Sequence, residues 1–114
     1  MTWTFVAAAT RPGGTNESIT SIPISKPTGT ASGNLLVAAL QEWSGIPASD
    51  YTAPTGWSLI CHEDDDAGAG TGNDSTTVWY KIAGASEPTS YTWTTQPGVG
   101  VLRHHCLLLR QRQQ

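Results

Sequence analysis

The stretch that decides the fold is residues 76–94, TTVWYKIAGASEPTSYTWT. Its first eight residues are rich in β-branched and aromatic types, and their alternation places Val78, Tyr80 and Ile82 on one face of a strand. Residues 90–94 alternate in the same way, and the glycine and proline between the two segments are turn residues. The stretch therefore predicts two short strands joined by a turn.

Short strands of this kind recur along the rest of the chain. We predict them over residues 2–6, 18–24, 35–40, 57–61 and 99–109. Because proline cannot donate to the ladder, Pro23 makes the second of these an edge strand or the end of a strand. The continuous apolar run of the third, LLVAAL, predicts a central strand buried on both faces. With no amphipathic helix in the sequence, the pattern predicts an all-β fold built as an antiparallel sandwich or barrel.

Length and composition indicate one domain and exclude several function classes. The 114 residues suit a single β-sandwich domain over residues 1–114, with residues 110–114 (RQRQQ) predicted to be a frayed tail. The net charge is −3, and no basic stripe precedes the last dozen residues, so we expect no nucleic acid partner. No segment has the length of a membrane span and no signal peptide is visible, so we expect no membrane and no ordinary secretion.

The most conspicuous polar cluster is HEDDD, residues 62–66. Carboxylates in a loop can hold calcium or magnesium, which makes Glu63, Asp64 and Asp66 the metal candidates. The spacing of a calcium-binding EF-hand is absent, however, and adjacent acids repel one another. They run straight into the glycine-rich AGAGTGND. We therefore expect a solvated hairpin loop without metal, whose charges discourage edge pairing.

Other catalytic or metal-binding patterns are missing. His104 and His105 are neighbours and would point to opposite faces of a strand, and no CxxC or HxxxH spacing exists for zinc. Cys61 and Cys106 could form one disulfide or remain thiols, and the sequence leaves both open. There is no GxSxG, phosphate loop or dinucleotide fingerprint. We expect no catalytic residues, no cofactor and no enzyme activity.

Five tryptophans support a second hypothesis, a carbohydrate-binding or host-adhesion module that stacks aromatic rings on a cell-surface glycan. They are Trp3, Trp43, Trp57, Trp79 and Trp93. In a small sandwich most of them are expected to pack in the core. Trp43, in the loop QEWSGIP, is the best candidate for an exposed binding residue.

Three motifs occur in order along the chain: GNLLVA at residues 33–38, PTGW at residues 54–57, and YKIAGASEPTSYTW at residues 80–93. Each has a structural interpretation. The PTGW turn delivers Trp57 into the core, Glu87 hydrogen-bonds a turn, and the alternation returns Tyr91 and Trp93 to the core on one face. Together they resemble a β-rich family of tailed-bacteriophage and prophage proteins with a G-(D/N)-L-L-V-A strand, a P-x-G-W turn and an E-P-x-x-Y segment.

The resemblance implies a jelly-roll-like sandwich displayed on a virion and assembled in the host cytoplasm. Such proteins are capsid decoration, minor capsid, tail or fibre components. They imply other virion subunits as partners, with a homo-oligomer expected, and no catalytic residues. The residues after 95 do not look like the family's continuation. We therefore expect a shortened sandwich with an open sheet edge that a neighbouring subunit completes.

Overall fold

The computed structural model describes residues 3–11, 17–18, 20–42, 48–65, 74–96, 101–102 and 104–113, with side chains at 4–5, 7–9, 20–41, 48–63 and 75–96. These residues form ten strands and one short 3₁₀ turn, Ala48–Asp50. The strands are β1 (Trp3–Arg11), β2 (Glu17–Ser18), β3 (Ser21–Ser25), β4 (Leu35–Glu42), β5 (Tyr51–Thr52), β6 (Ser58–Asp65), β7 (Asp74–Ile82), β8 (Ser90–Thr95), β9 (Val101–Leu102) and β10 (His104–Gln113).

The strands make two main antiparallel sheets. One has five strands in the order β1-β10-β4-β7-β6, and the other has three in the order β3-β8-β5. The short strands β2 and β9 pair with each other. Strand β3 packs against β1 and β10, so the smaller sheet lies on the larger one. The all-β prediction is confirmed.

One core joins the two sheets. In the three-stranded sheet the alternation of β3 and β8 turns their apolar residues inward. The five-stranded sheet contributes alternate residues of β4 and Trp79 of β7. The buried apolar side chains are Ile22, Ile24, Leu36, Ala38, Leu40, Tyr51, Trp57, Trp79, Ala83, Tyr91 and Trp93. Burying a side chain the size of Leu36 contributes about 1.5–3 kcal/mol. The molecule is therefore an antiparallel sandwich, and the jelly-roll topology stays a prediction.

Strand β4 is central, as its sequence predicts, since it lies between β10 and β7. The prediction that both its faces are buried was wrong in part. Leu36 and Leu40 are fully buried, whereas Val37 on the other face is only half-buried. The reason is that the smaller sheet covers one side of the larger sheet, and no described element covers the other. Pro23 does lie on an edge strand, β3.

The C-terminal residues differ most from expectation. Residues 110–113 belong to β10, which pairs with β1 on one side and β4 on the other. The frayed tail was therefore the wrong prediction for these residues. That prediction rested on the polar side chains of these residues, but a ladder is made by backbone groups and needs no apolar residue at each position. The residues after 95 thus supply an interior strand of the larger sheet.

Glu87 fastens the connection between β7 and β8, where the chain passes from one sheet to the other. Its carboxylate accepts hydrogen bonds from the backbone N–H of Gly84 at 2.6 Å and the hydroxyl of Tyr91 at 2.8 Å. The ammonium of Lys81 lies 3.0 Å away, and only 5% of the Glu87 side chain is exposed. Burial alone would raise the pKa of this carboxyl, but the three donors and the ammonium charge hold the pKa below its usual value.

The PTGW turn has the predicted role. The N–H of Trp57 donates to the carbonyl of Pro54 at 3.3 Å, and Gly56 adopts a positive φ of 87° that favours glycine. Trp57 then enters the core, with its ring edge-on to Tyr91 at 5.1 Å and to Trp93 at 4.9 Å between centroids. The turn at the start of β6 and the β7–β8 connection therefore meet in one aromatic cluster.

Candidate interaction surface on the five-stranded sheet

The uncovered side of the five-stranded sheet carries a continuous set of apolar residues. In an antiparallel pair, residues directly opposite each other point to the same face. Val37 on β4 is opposite Tyr80 on β7, and Ala39 is opposite Val78. Because the residues between them fill the core, these four positions lie on the side away from it. The alternation of two neighbouring strands therefore builds one surface.

The same register extends the surface to the other strands. Leu35 is opposite Ile82 across β7 and opposite Gln111 across β10, and Gln111 is in turn opposite Phe5 on β1. We call the described apolar residues of this side the outer face. They are Phe5, Ala8, Leu35, Val37, Ala39, Val78, Tyr80 and Ile82.

The outer face is partly exposed to solvent, and Glu63 at the β6 edge is the charged residue that the register places on the same side among the described side chains. Phe5 is 59% exposed, Ile82 55% and Tyr80 40%, and none of the eight residues carries a charge. Single exposed apolar residues are ordinary on soluble proteins, but a contiguous set across adjacent strands marks a surface that binds another molecule. The register places Cys61 and Glu63 of β6 on the same side of the sheet, at its edge, so the apolar residues of the outer face lie together on β4 and β7 and suit binding.

Both edges of the five-stranded sheet are irregular. The pairing of β1 shifts between Phe5 and Ala7, and that of β6 shifts between Leu59 and Cys61. Bulges and charges at sheet edges disfavour pairing with another strand. A sheet edge completed by a neighbouring subunit stays a prediction, and these bulges count against it. Bulges at the two edges do not disfavour contacts that are made through the outer face of the sheet.

Within the described residues, the acidic cluster forms the end of strand β6, which pairs with β7 as a hairpin. Glu63 and Asp64 lie in β6, opposite Thr76 and Ser75 of β7. Their placement in a loop was therefore wrong. The ladder with β7 continues past Cys61 because backbone pairing tolerates charged side chains on an edge strand, where they reach water. Glu63 is exposed, and Asp66 lies outside the described residues.

The structure locates the candidate metal ligands and the two cysteines. No group of three or more histidine, cysteine, aspartate or glutamate side chains that could hold a metal ion occurs among the described side chains. His62 is half-buried, with its Nδ1 2.8 Å from the hydroxyl of Thr77. Cys61 is a free, exposed thiol. Cys106 lies in β10 opposite Arg11, and its side chain is outside the described set.

Most of the tryptophans are core residues. Trp57, Trp79 and Trp93 are at most 7% exposed, so they are closed to a sugar ring. Trp43, the proposed glycan-binding residue, lies outside the described residues. The sequence reasoning did not identify the outer face. The available signal was that LLVAAL is apolar at every position, whereas a strand with one wet face alternates with polar residues.

No protein-family model, no curated protein and no solved structure matches this chain. Within the part of the chain that the structure describes, no helix is long and apolar enough to span a membrane.

Proposed function

We propose that this chain is a structural protein of a phage virion, a capsid decoration, minor capsid or tail component, and that it works through protein–protein contacts. The observation that carries the proposal is the outer face. It presents apolar side chains on three strands, β1, β4 and β7, of the five-stranded ladder, so the surface is held rigid before any partner arrives. A preformed rigid surface loses little conformational entropy on binding.

The motif residues support a structural role. Gly56, Trp57, Glu87 and Tyr91 are each engaged in a turn, an aromatic contact or a hydrogen bond that fixes the sandwich. These roles in the fold account for the four motif residues without assigning any of them to catalysis. The virion setting comes from the motif resemblance, in which the same residues recur in proteins of phage particles. The particle, whether capsid or tail, is part of the proposal.

The carbohydrate-binding alternative now depends on Trp3 and Trp43, whose side chains lie outside the described set, with Trp43 the residue singled out from the sequence. Because Trp57, Trp79 and Trp93 are buried, three of the five tryptophans that suggested glycan binding cannot stack on a sugar ring. No aromatic pair with the coplanar arrangement of a sugar platform is found among the described rings. A glycan array with purified protein and the Trp43→Ala variant would test this alternative.

The proposal is tested by locating the chain in phage particles made by the host that carries its gene. We expect mass spectrometry of purified particles to detect it, and cryo-electron microscopy to show the sandwich on the capsid or tail. The outer face should be in contact with a neighbouring subunit. Particles that contain no copy of the chain would refute the proposal.

A matched pair of variants makes the test specific. Ile82→Lys puts a charge on the outer face at a position already 55% exposed, so folding should tolerate it. Thr92→Lys puts the same charge at an exposed position of the smaller sheet, on the opposite side of the sandwich. We expect the first variant to be lost from particles and the second to be retained. Equal retention would contradict the assignment of the contact to the outer face.

A further inference from the structure

We infer that residues 84–88, the connection from β7 to β8, form an acid-sensitive strap that opens when Glu87 is protonated, while the strand ladders of both sheets stay intact. The inference concerns a conformational device and does not depend on the proposed virion function. Opening of the strap uncovers the aromatic cluster of Trp57, Tyr91 and Trp93, whose members are at most 7% exposed while the strap is closed.

The strap has no backbone ladder of its own. Its two ends are fixed, one by Ala83, whose N–H and carbonyl form hydrogen bonds of 2.8 Å with residues 33–34, and the other by Thr89, whose carbonyl accepts the N–H of Lys26 at 2.8 Å. Between these ends the structure describes every residue, and none makes a backbone–backbone hydrogen bond with another described residue. The side chain of Glu87 takes the place of that ladder, so the position of the strap depends on one ionisable group.

The two oxygens of the Glu87 carboxylate hold the strap closed. Oε1 accepts the N–H of Gly84 at 2.6 Å, which ties the strap to its own beginning. Oε2 accepts the hydroxyl of Tyr91 on β8 at 2.8 Å and the ammonium of Lys81 on β7 at 3.0 Å. These contacts favour the carboxylate, because a protonated carboxyl group loses its attraction to the lysine charge and one of its accepting positions.

The titratable groups packed around Glu87 among the described residues come from three elements. Lys81 lies on β7, Tyr91 lies on β8, and the ammonium of Lys26, which follows β3, is 3.5 Å from the backbone carbonyl of Glu87. Burial raises the pKa of Glu87, but the N–H of Gly84, the ammonium of Lys81 and the hydroxyl of Tyr91 hold the pKa below its ordinary value of 4.5. The strap is therefore closed at pH 4.5 and above, and opens as pH falls through the lowered pKa. Protonation leaves two ammonium groups beside a neutral strap.

The ion pair of Lys81 and Glu87 also covers the aromatic cluster. The ammonium of Lys81 is 5.8 Å from the centre of the Tyr91 ring, which in turn meets Trp57 edge-on at 5.1 Å. When Glu87 is neutral, the ammonium of Lys81 is more stable in water than beside an uncharged carboxyl group, so the lysine turns outward and the Tyr91 ring becomes accessible. The strap thereby couples the charge of one carboxyl group to the exposure of an apolar surface.

NMR relaxation of the isotope-labelled chain at about pH 6 and at about pH 3 tests the inference. At the higher pH we expect the backbone order parameters of residues 84–87 to match those of β4 and β7, at about 0.85. At the lower pH those of the strap should fall below about 0.6, while β4 and β7 keep both their order parameters and their dispersed amide shifts. A strap that stays ordered at the lower pH, or that loses order only together with the strands, would overturn the inference.

Two variants assign the opening to Glu87. Glu87→Gln resembles the protonated carboxyl group, so its strap should be mobile at both pH values. Lys81→Met keeps the carboxylate and removes the ammonium, so its strap should open at a higher pH than that of the native chain, and it serves as the test if Glu87→Gln does not fold. Glu63→Gln changes an exposed carboxyl group on β6 and should open like the native chain. Opening that keeps its native pH dependence in Glu87→Gln or in Lys81→Met would refute the role of this carboxylate.

Discussion

The substitution Glu87→Gln tests whether the β7–β8 connection holds the two sheets together as described. Glutamine preserves the size of the side chain, and its oxygen can still accept the N–H of Gly84. The second oxygen becomes an NH₂ group, which cannot accept the bonds that Lys81 and Tyr91 now donate. The ammonium of Lys81, whose side chain is only 19% exposed, loses its counter-charge.

The expected loss follows from these contacts. A hydrogen bond to a charged group contributes about 1.5–3 kcal/mol, and the lysine can recover part of this by reaching toward water. We expect Glu87→Gln to lower the free energy of unfolding by about 2–3 kcal/mol. For a chain of this size that corresponds to a fall in Tm of roughly 8–15 °C.

Urea unfolding followed by tryptophan fluorescence measures the effect, since Trp57 packs edge-on against Tyr91 and reports the same region. Glu63→Gln is the matched control, because it makes the same chemical change at an exposed position and should cost less than about 0.5 kcal/mol. If Glu87→Gln and Glu63→Gln unfolded within 0.5 kcal/mol of each other, the network around Glu87 would not fasten the sandwich.

Three further results follow from the same structure. The lowered pKa of Glu87 adds stability at neutral pH that is lost as pH falls below 4.5, its ordinary pKa, so stability of the native chain should fall more steeply with acid than that of Glu87→Gln. The raised pKa of Tyr91 has the opposite sign, so stability should decline above pH 10.0, its ordinary pKa, and Tyr91→Phe should flatten that decline in an alkaline urea series. Gly56→Ala forces a positive φ on alanine and brings its methyl group to 3.1 Å from a lysine side chain, whereas Gly33→Ala has the same positive φ but open space, so calorimetry should show a lower Tm for the first.

The sequence predicted the elements that local chemistry controls. Alternation placed Tyr91 and Trp93 in the core, and the PTGW turn placed Trp57 there, since each depends on residues a few positions apart. Glu87 was expected to hydrogen-bond a turn and does so through Gly84. Period and turn type are local properties, so a single sequence contains enough information to predict them.

The features that could not be predicted from the sequence depend on pairing between strands that are far apart in the chain. Polar residues at 110–113 indicated a frayed tail, but β10 fits between β1 and β4, more than sixty residues away in the chain. Likewise, LLVAAL was expected to be covered on both sides. Which side stays open depends on where the second sheet packs, and the residues of the strand itself do not encode that. The outer face emerged only from the complete strand order.

The most direct test of the proposed interface is hydroxyl-radical footprinting of the chain, compared between dilute solution and the assembled state. Phe5, Tyr80 and Ile82 of the outer face are oxidised readily when free, because each is at least 40% exposed. We expect all three to become protected on assembly, while Leu59 and Ile60 near the β6 edge, which are similarly exposed, change much less. Unchanged oxidation of the outer face in assembled material would show that the contact lies elsewhere on the sandwich.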